Sequence, residues 1–183
     1  MLHTLVVYVE DKPGVLNRVS SLFRRRAFNI DSLTVGHTET PGVSRMTIVC
    51  DTDPTAVRRV EANIYKLVDV LRVDDITDQP AVERELAMIK VAATQETRPH
   101  IIQMAEVFRA RVVDVSPESA IVEITGSGEK IERLLDVLKP YGILEVARTG
   151  LVAMARGPRP AEKLEDRFAG EESPEEAGVS YSV

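Results

Sequence analysis

The chain has 183 residues, 44% of them apolar and only 4% aromatic, with no Trp and a formal net charge of −6. That length suits two small units with aliphatic cores. One cysteine excludes an internal disulfide framework and a multi-cysteine metal site, and the negative charge argues against nucleic acid as the default partner. Apolar runs fall far short of the ~20 residues a membrane span needs. The start, MLHTLVVYVEDKPG, has no basic n-region or cleavage site. A soluble cytoplasmic protein, away from membranes, is expected.

In chain order, residues 3–9 (HTLVVYV) are β-branched and read as a strand. EDKPG follows as a turn, with Pro13 suited to a helix start. Val15, Leu16, Val19, Leu22 and Phe23 then recur at helical spacing, and Arg24, Arg25 and Arg26 close that helix, where cations complement its dipole. Residues 29–39 predict a second strand, Thr40-Pro41-Gly42 a hairpin loop and residues 43–51 a third strand. Asp53-Pro54 is an N-cap followed by proline at the first helical position. Val57, Val60, Ile64 and Leu67 make the next amphipathic helix, and residues 68–76 a fourth strand.

The same order recurs in a degenerate sequence. Residues 85–93 predict a strand, 98–108 a helix, 111–115 and 120–125 strands joined at Ser116-Pro117-Glu118-Ser119. Ser127 can cap a helix carrying Ile131, Leu134, Leu135 and Leu138; Gly142 ends it, and residues 143–148 form the last strand. The fold class is therefore α+β, with two ferredoxin-like βαββαβ units. The boundaries read as 1–78 and 79–157, with a linker near Asp78-Gln79-Pro80. Each unit carries 10 basic and 11 acidic side chains; residues 158–183 carry 3 and 7 and read as an acidic flexible tail, with room for a short helix over 161–168. Each sheet buries one face against two helices, and its open edge and remaining face invite a partner, so oligomerisation is expected.

One connection looks like chemistry. Glu10-Asp11-Lys12-Pro13-Gly14-Val15-Leu16 joins the first strand to the first helix. A helix N-terminus offers free N–H groups and positive partial charge to a carboxylate. Gly14 lets a ligand approach the backbone without a Cβ in the way, and Asp11 is placed to accept from an ammonium group. That combination suits a free α-amino acid. The same residues also fit a simpler reading, in which Asp11 only caps the helix and Pro-Gly only makes the turn.

Other candidates are weaker. His3, His37 and His100 are too scattered for metal-ligand spacing. Cys50, in an apolar strand, reads as a structural thiol rather than a nucleophile. Gly126-Ser127-Gly128 is too short for a phosphate loop. Arg24-Arg25-Arg26 fits a solvated helix end better than an anionic-partner patch, and Arg45 and Met46 fit either the sheet surface or a partner. RNA-recognition modules share this topology but need exposed aromatics on the central strands and a basic surface, where this chain has Met46, Ile48 and Cys50. A small acylphosphatase-like hydrolase would need an anion-binding Arg in the first loop, which here holds Asp11 and Lys12.

The stretches DKPGVLNRVSSLFRRRAFNIDSLTVGHTE, SRMTIVCD, KLVDVLRVDDIT, FRARVVDVS and EVARTGLVAMARG resemble the small regulatory subunit of acetolactate synthase over residues 2–157. The resemblance implies an ACT domain in the first half and a non-catalytic chain that partners the large catalytic subunit. Thiamine diphosphate, FAD and magnesium would belong to that subunit, with no cofactor on this chain. It further implies a homodimer through the ACT domains, stimulation of the partner, and feedback inhibition by valine bound at the dimer interface. Carried over by position, the effector site is Asp11, Gly14, Val15 and Leu16 from one subunit with Asn29 and Ile30 from the other. Many relatives have Asn where this chain has Asp11.

Overall fold

A computed structural model describes residues 1–157. The first unit consists of β1 (Leu2–Glu10), α1 (Val15–Arg25), β2 (Ser32–His37), β3 (Val43–Asp51), α2 (Pro54–Ile64) and β4 (Val70–Asp75). The second consists of β5 (Ala81–Ala92), α3 (Arg98–Val107), β6 (Arg111–Val115), β7 (Ser119–Gly126), α4 (Gly128–Leu138) and β8 (Ile143–Arg148). The sheet orders are β2-β3-β1-β4 and β6-β7-β5-β8, all pairs antiparallel. The predicted α+β architecture of two βαββαβ units is the observed one.

The repeat extends to irregularities that no pattern search reveals. The β1–β4 register shifts at Tyr8/Val9, and the β5–β8 register shifts at Lys90/Val91. Helices α1 and α3 each end in a left-handed non-glycine residue, Ala27 (φ 56) and Arg109 (φ 52). In each, the following amide reaches back five residues, Phe28 to Phe23 O and Ala110 to Ala105 O. That is a helix-ending motif in which glycine usually takes the left-handed position. Ala27→Gly is expected to stabilise the fold by about 1 kcal/mol by relieving this strain, read from the urea midpoint.

Helix α2 starts as its sequence predicts. The Asp53 carboxylate accepts from the amides of Thr55 and Ala56, both at 2.9 Å, with Pro54 in the first turn. The Ala56 amide is the main cause holding this carboxyl below its ordinary pKa. A depressed folded-state pKa adds stability above the ordinary carboxylate value, and that stability is lost as pH falls through the folded one. Asp53→Asn keeps an acceptor without the proton linkage, so its stability should fall less steeply in acid, measured by urea unfolding across pH 2–7.

Three apolar clusters hold the chain together. Leu5, Val7, Val9, Val19, Phe23, Met46, Ile48 and Ile64 build the core between the first sheet and its helices. Ile89, Val91, Ile101, Val122, Ile124, Ile131 and Leu134 do the same in the second unit. The third corrects an expectation. Val6, Tyr8, Val43 and Ile76, on the far face of the first sheet, pack with Ala153, Ala81 and Leu151. A further strand absent from the sequence reading, β9 (Val152–Ala155), pairs with Ala81–Arg84 of β5 and lies against this face. Part of the face expected to await a partner is therefore covered by the chain itself, and residues 3–9 of β1 are buried on both sides.

Several predicted bounds also shift. The strand expected over 29–39 forms only at Ser32–His37, and the one over 68–76 only at Val70–Asp75, leaving Val68 91% exposed. Around Asp78-Gln79-Pro80 the chain makes a hydrogen-bonded turn, with Gln79 N donating to Ile76 O and Arg156 N to Pro80 O. Strand β5 begins directly after it. The possible helix at 161–168 and the acidic tail lie outside the described residues. No helix among the described residues is long and apolar enough to cross a membrane.

Candidate effector site

The loop between β1 and α1 is tied down from three sides. Glu10 N donates to Asp69 O (2.9 Å), Asp11 N to Gly42 O (2.8 Å) and Lys12 N to Glu10 O (3.0 Å). Arg18, on the first turns of α1, pairs with the buried Asp69 carboxylate. These bonds leave the chain to enter α1 through Gly14, whose φ of 86° is left-handed, a conformation glycine adopts without strain. Among the described residues, apart from Gly14 and its neighbours Pro13 and Val15, no heavy atom lies within 4 Å of where a Cβ on Gly14 would sit.

The helix start is left open. Gly14 is the N-cap residue, and no side chain caps the turn. Val15 N donates to Lys12 O at 3.4 Å, while among the described residues the amides of Leu16 and Asn17 have no acceptor. Asp11 does not cap α1. Its Oδ1 accepts from Ser44 Oγ at 3.2 Å, and its Oδ2 lies 3.3 Å from His37 Nδ1. The carboxylate is thus held at the β2–β3 hairpin end, with unpaired amides on the neighbouring helix. Of the two readings of this loop, simple capping by Asp11 is not what the fold contains. Ser44 and His37 carried no signal in sequence; only the β1–β3 and β2–β3 registers bring them beside Asp11.

Within one chain the six predicted residues do not all meet. Asp11, Gly14 and Leu16 are exposed at the loop, whereas the Val15 side chain is 3% exposed in the core and offers only its backbone outward. Asn29 and Ile30 precede β2. There Asp31 N bonds Val49 O, while the loop adjoins Val43, six residues along the same strand. At ~3.4 Å per residue the two groups stand roughly 20 Å apart along the sheet. Asn29 is exposed, its Nδ2 donating to Asp31 Oδ1 at 3.1 Å, and Ile30 packs partly into the core. Strand β2 is paired on one side by β3 and lies at the edge of its sheet, so both half-sites border a strand whose outer edge has no partner among the described residues.

Other candidates resolve differently. Met46, Ile48 and Cys50 all face the helices and are buried, so none offers a base-stacking surface. Burial, with Asp31, Asp75 and Asp51 adding to it, pushes the Cys50 thiol up to about 11, which keeps it protonated and inert. Arg45 lies on the far face, over the Tyr8 ring and donating to Ala153 O. Among the described residues, no three His, Cys, Asp or Glu side chains gather where they could hold a metal ion.

The whole described chain matches known proteins. A family profile described as the small-subunit-like ACT domain of AHAS matches residues 5–72, and one for the small subunit of acetolactate synthase matches residues 84–157. The chain is 52% identical over 157 residues to a probable acetolactate synthase small subunit of Archaeoglobus fulgidus, covering 86% of this chain and 98% of that one. It is 50% identical over 158 residues to the acetolactate synthase small subunit of Bacillus subtilis, covering 86% and 92%. Its fold superposes on the crystal structure of the acetolactate synthase small subunit from Thermotoga maritima with a TM-score of 0.80 at 42% identity, over 87% of this chain and 99% of that one. With its ACT domain first and its second ferredoxin-like unit after it, this chain belongs to the acetolactate synthase small-subunit family.

Proposed function

We propose that the chain is a non-catalytic regulatory subunit, which docks on the large catalytic subunit, raises its activity, and withdraws that stimulation when valine binds between two ACT domains. The observation that carries the effector reading is the uncapped start of α1. Among the described residues the amides of Leu16 and Asn17 have no acceptor, Gly14 leaves the approach open, and the Asp11 carboxylate stands nearby. A helix N-terminus favours the carboxylate of an amino acid, and a carboxylate favours its ammonium. A second copy, paired along the exposed β2 edge, supplies Asn29 and Ile30, because within one chain they lie too far from the loop. Thiamine diphosphate, FAD and magnesium then sit on the catalytic subunit.

Feedback requires valine to bind the unstimulating arrangement better than the stimulating one. The test is reconstitution with the purified catalytic subunit. Added chain should raise acetolactate formation from pyruvate, and valine should reverse the gain. The chain alone, supplied with all three cofactors, should form none. Turnover by the isolated chain, or no effect on the catalytic subunit, refutes the reading. Asn29→Ala should weaken valine inhibition roughly tenfold, since a hydrogen bond to a charged group contributes about 1.5 kcal/mol.

A further inference from the structure

We infer that Thr149-Gly150-Leu151 is a strap that carries the effector signal from the start of β2 to the second unit; the inference rests on the effector reading above. Ser32 and Thr34, the first and third residues of β2, both point away from the helices, because alternate strand positions share a face. Ser32 Oγ accepts from Leu151 N at 2.8 Å, and Thr34 Oγ1 donates to Thr149 O at 3.3 Å. Thr149 is in turn fastened to the second sheet. Its N donates to Leu86 O at 3.0 Å, and its Oγ1 accepts from Leu86 N at 3.1 Å. Leu86 lies on β5, opposite Thr125 of β7. A short run of hydrogen bonds therefore leads from the residues beside Asn29 and Ile30 to the middle of the second sheet.

The strap is shaped for this contact. Gly150 has φ 83°, and a Cβ there would sit 2.6 Å from Ser32 Oγ and 3.1 Å from Thr34 Oγ1. Only glycine lets the two segments approach so closely. Beside the strap lies a cleft of about 550 Å³ whose walls include Asp31, Leu33, Val49, Glu85 and Arg148. Leu151 of the strap also packs against the far face of the first sheet, and close-packed side chains pass on strain instead of absorbing it. Arg148, which also lines this cleft, is braced by both oxygens of Glu85 and by Glu132, which ties β8 to β5 and α4. Closing the effector site on a ligand shifts the start of β2, and the strap passes that shift to β5 and β8.

Coupling between two sites is reciprocal, so the factor by which the catalytic subunit changes valine affinity equals the factor by which valine changes the hold on that subunit. Cutting the relay brings this factor to one while leaving both sites intact. The experiment measures valine binding by calorimetry, for the free chain and for the reconstituted complex, together with inhibition of activity. It compares wild type, Ser32→Ala, which removes the acceptor for Leu151 N, and Gly150→Ala, which forces the segments apart. In wild type, the affinities of free chain and complex should differ. In both variants the free-chain affinity should stay within about threefold of wild type, the complex should match the free chain, and stimulation should survive while inhibition is lost.

Wild-type inhibition in both variants overturns the strap. So does loss of valine binding by both free variants with thermal unfolding unchanged, because the contact would then build the site instead of relaying its state. Absence of valine binding by the wild-type chain, free and in the complex, is a separate result: it overturns the effector reading and the strap with it.

Discussion

Gly14→Asp is expected to leave the reconstituted enzyme stimulated by this chain but insensitive to valine. The left-handed backbone at position 14 is tolerated by Asp better than by most residues with a Cβ, and beyond Pro13 and Val15 no described residue stands within 4 Å of the new Cβ. The loop should therefore keep its shape. The added carboxylate, however, enters the space through which a ligand reaches the unpaired amides of Leu16 and Asn17. It can accept from those amides as an internal cap, and it repels a ligand carboxylate. Each 1.4 kcal/mol lost is tenfold in affinity, and the two effects together should weaken valine by about a hundredfold or more. The measurement is activity of the complex against valine concentration, with Gly14→Ala beside it. Ala adds backbone strain without charge or an acceptor, so it should weaken valine less. Inhibition of the Gly14→Asp complex at the wild-type valine concentration would falsify the site.

Phe23→Ala is expected to cost the fold about 3–5 kcal/mol, the usual range for truncating a buried phenylalanine. Phe23 is 1% exposed and sits among Val19, Leu22, Ile48 and Ile64 in the core beneath the first sheet. A loss of that size is a large part of the 5–15 kcal/mol that holds a typical domain together. Leu16→Ala, in the same helix, is the control. Leu16 is 44% exposed, so its loss should cost less than about 1 kcal/mol. Equal urea midpoints for the two variants would contradict the assigned core face of α1.

The two variants also separate what was legible beforehand from what was not. Val15, Val19, Leu22 and Phe23 recur at helical spacing, and they are the four buried residues of α1. Leu16 belongs to the same apolar pattern yet faces outward at the loop, a difference of angle that an apolar count does not register. Likewise the loop from Asp11 to Leu16 stood out by its Pro-Gly turn and its acidic residue. Whether Asp11 capped the helix or turned away from it depended on Ser44 and His37, which lie 33 and 26 positions further on.

Strand β9 shows the limit most clearly. Val152–Ala155 is only four residues long, too short for a period to register, and its partner at Ala81–Arg84 is some 70 positions earlier. Its presence was foreshadowed only by the unbroken apolar run of β1, which alternates too little for a sheet with one solvated face.

What the amino-acid order determined by itself was everything carried by local periodicity and local chemistry. This covers the two βαββαβ cycles, the Asp53-Pro54 and Ser127 helix starts, the hairpin at Thr40-Pro41-Gly42 and the glycine at the head of α1. Each depends on residues within one turn or one strand pair, where spacing alone decides which side chains share a face. Tertiary structure decided the rest: the cover over the far face of the first sheet, the open amides beside a diverted Asp11, and the strap that fits Gly150 against Ser32 and Thr34. These rest on contacts between residues from 26 positions apart, Asp11 and His37, to 145, Tyr8 and Ala153, and no local preference marks such pairs, because each side chain is satisfied only by a neighbour that folding brings to it.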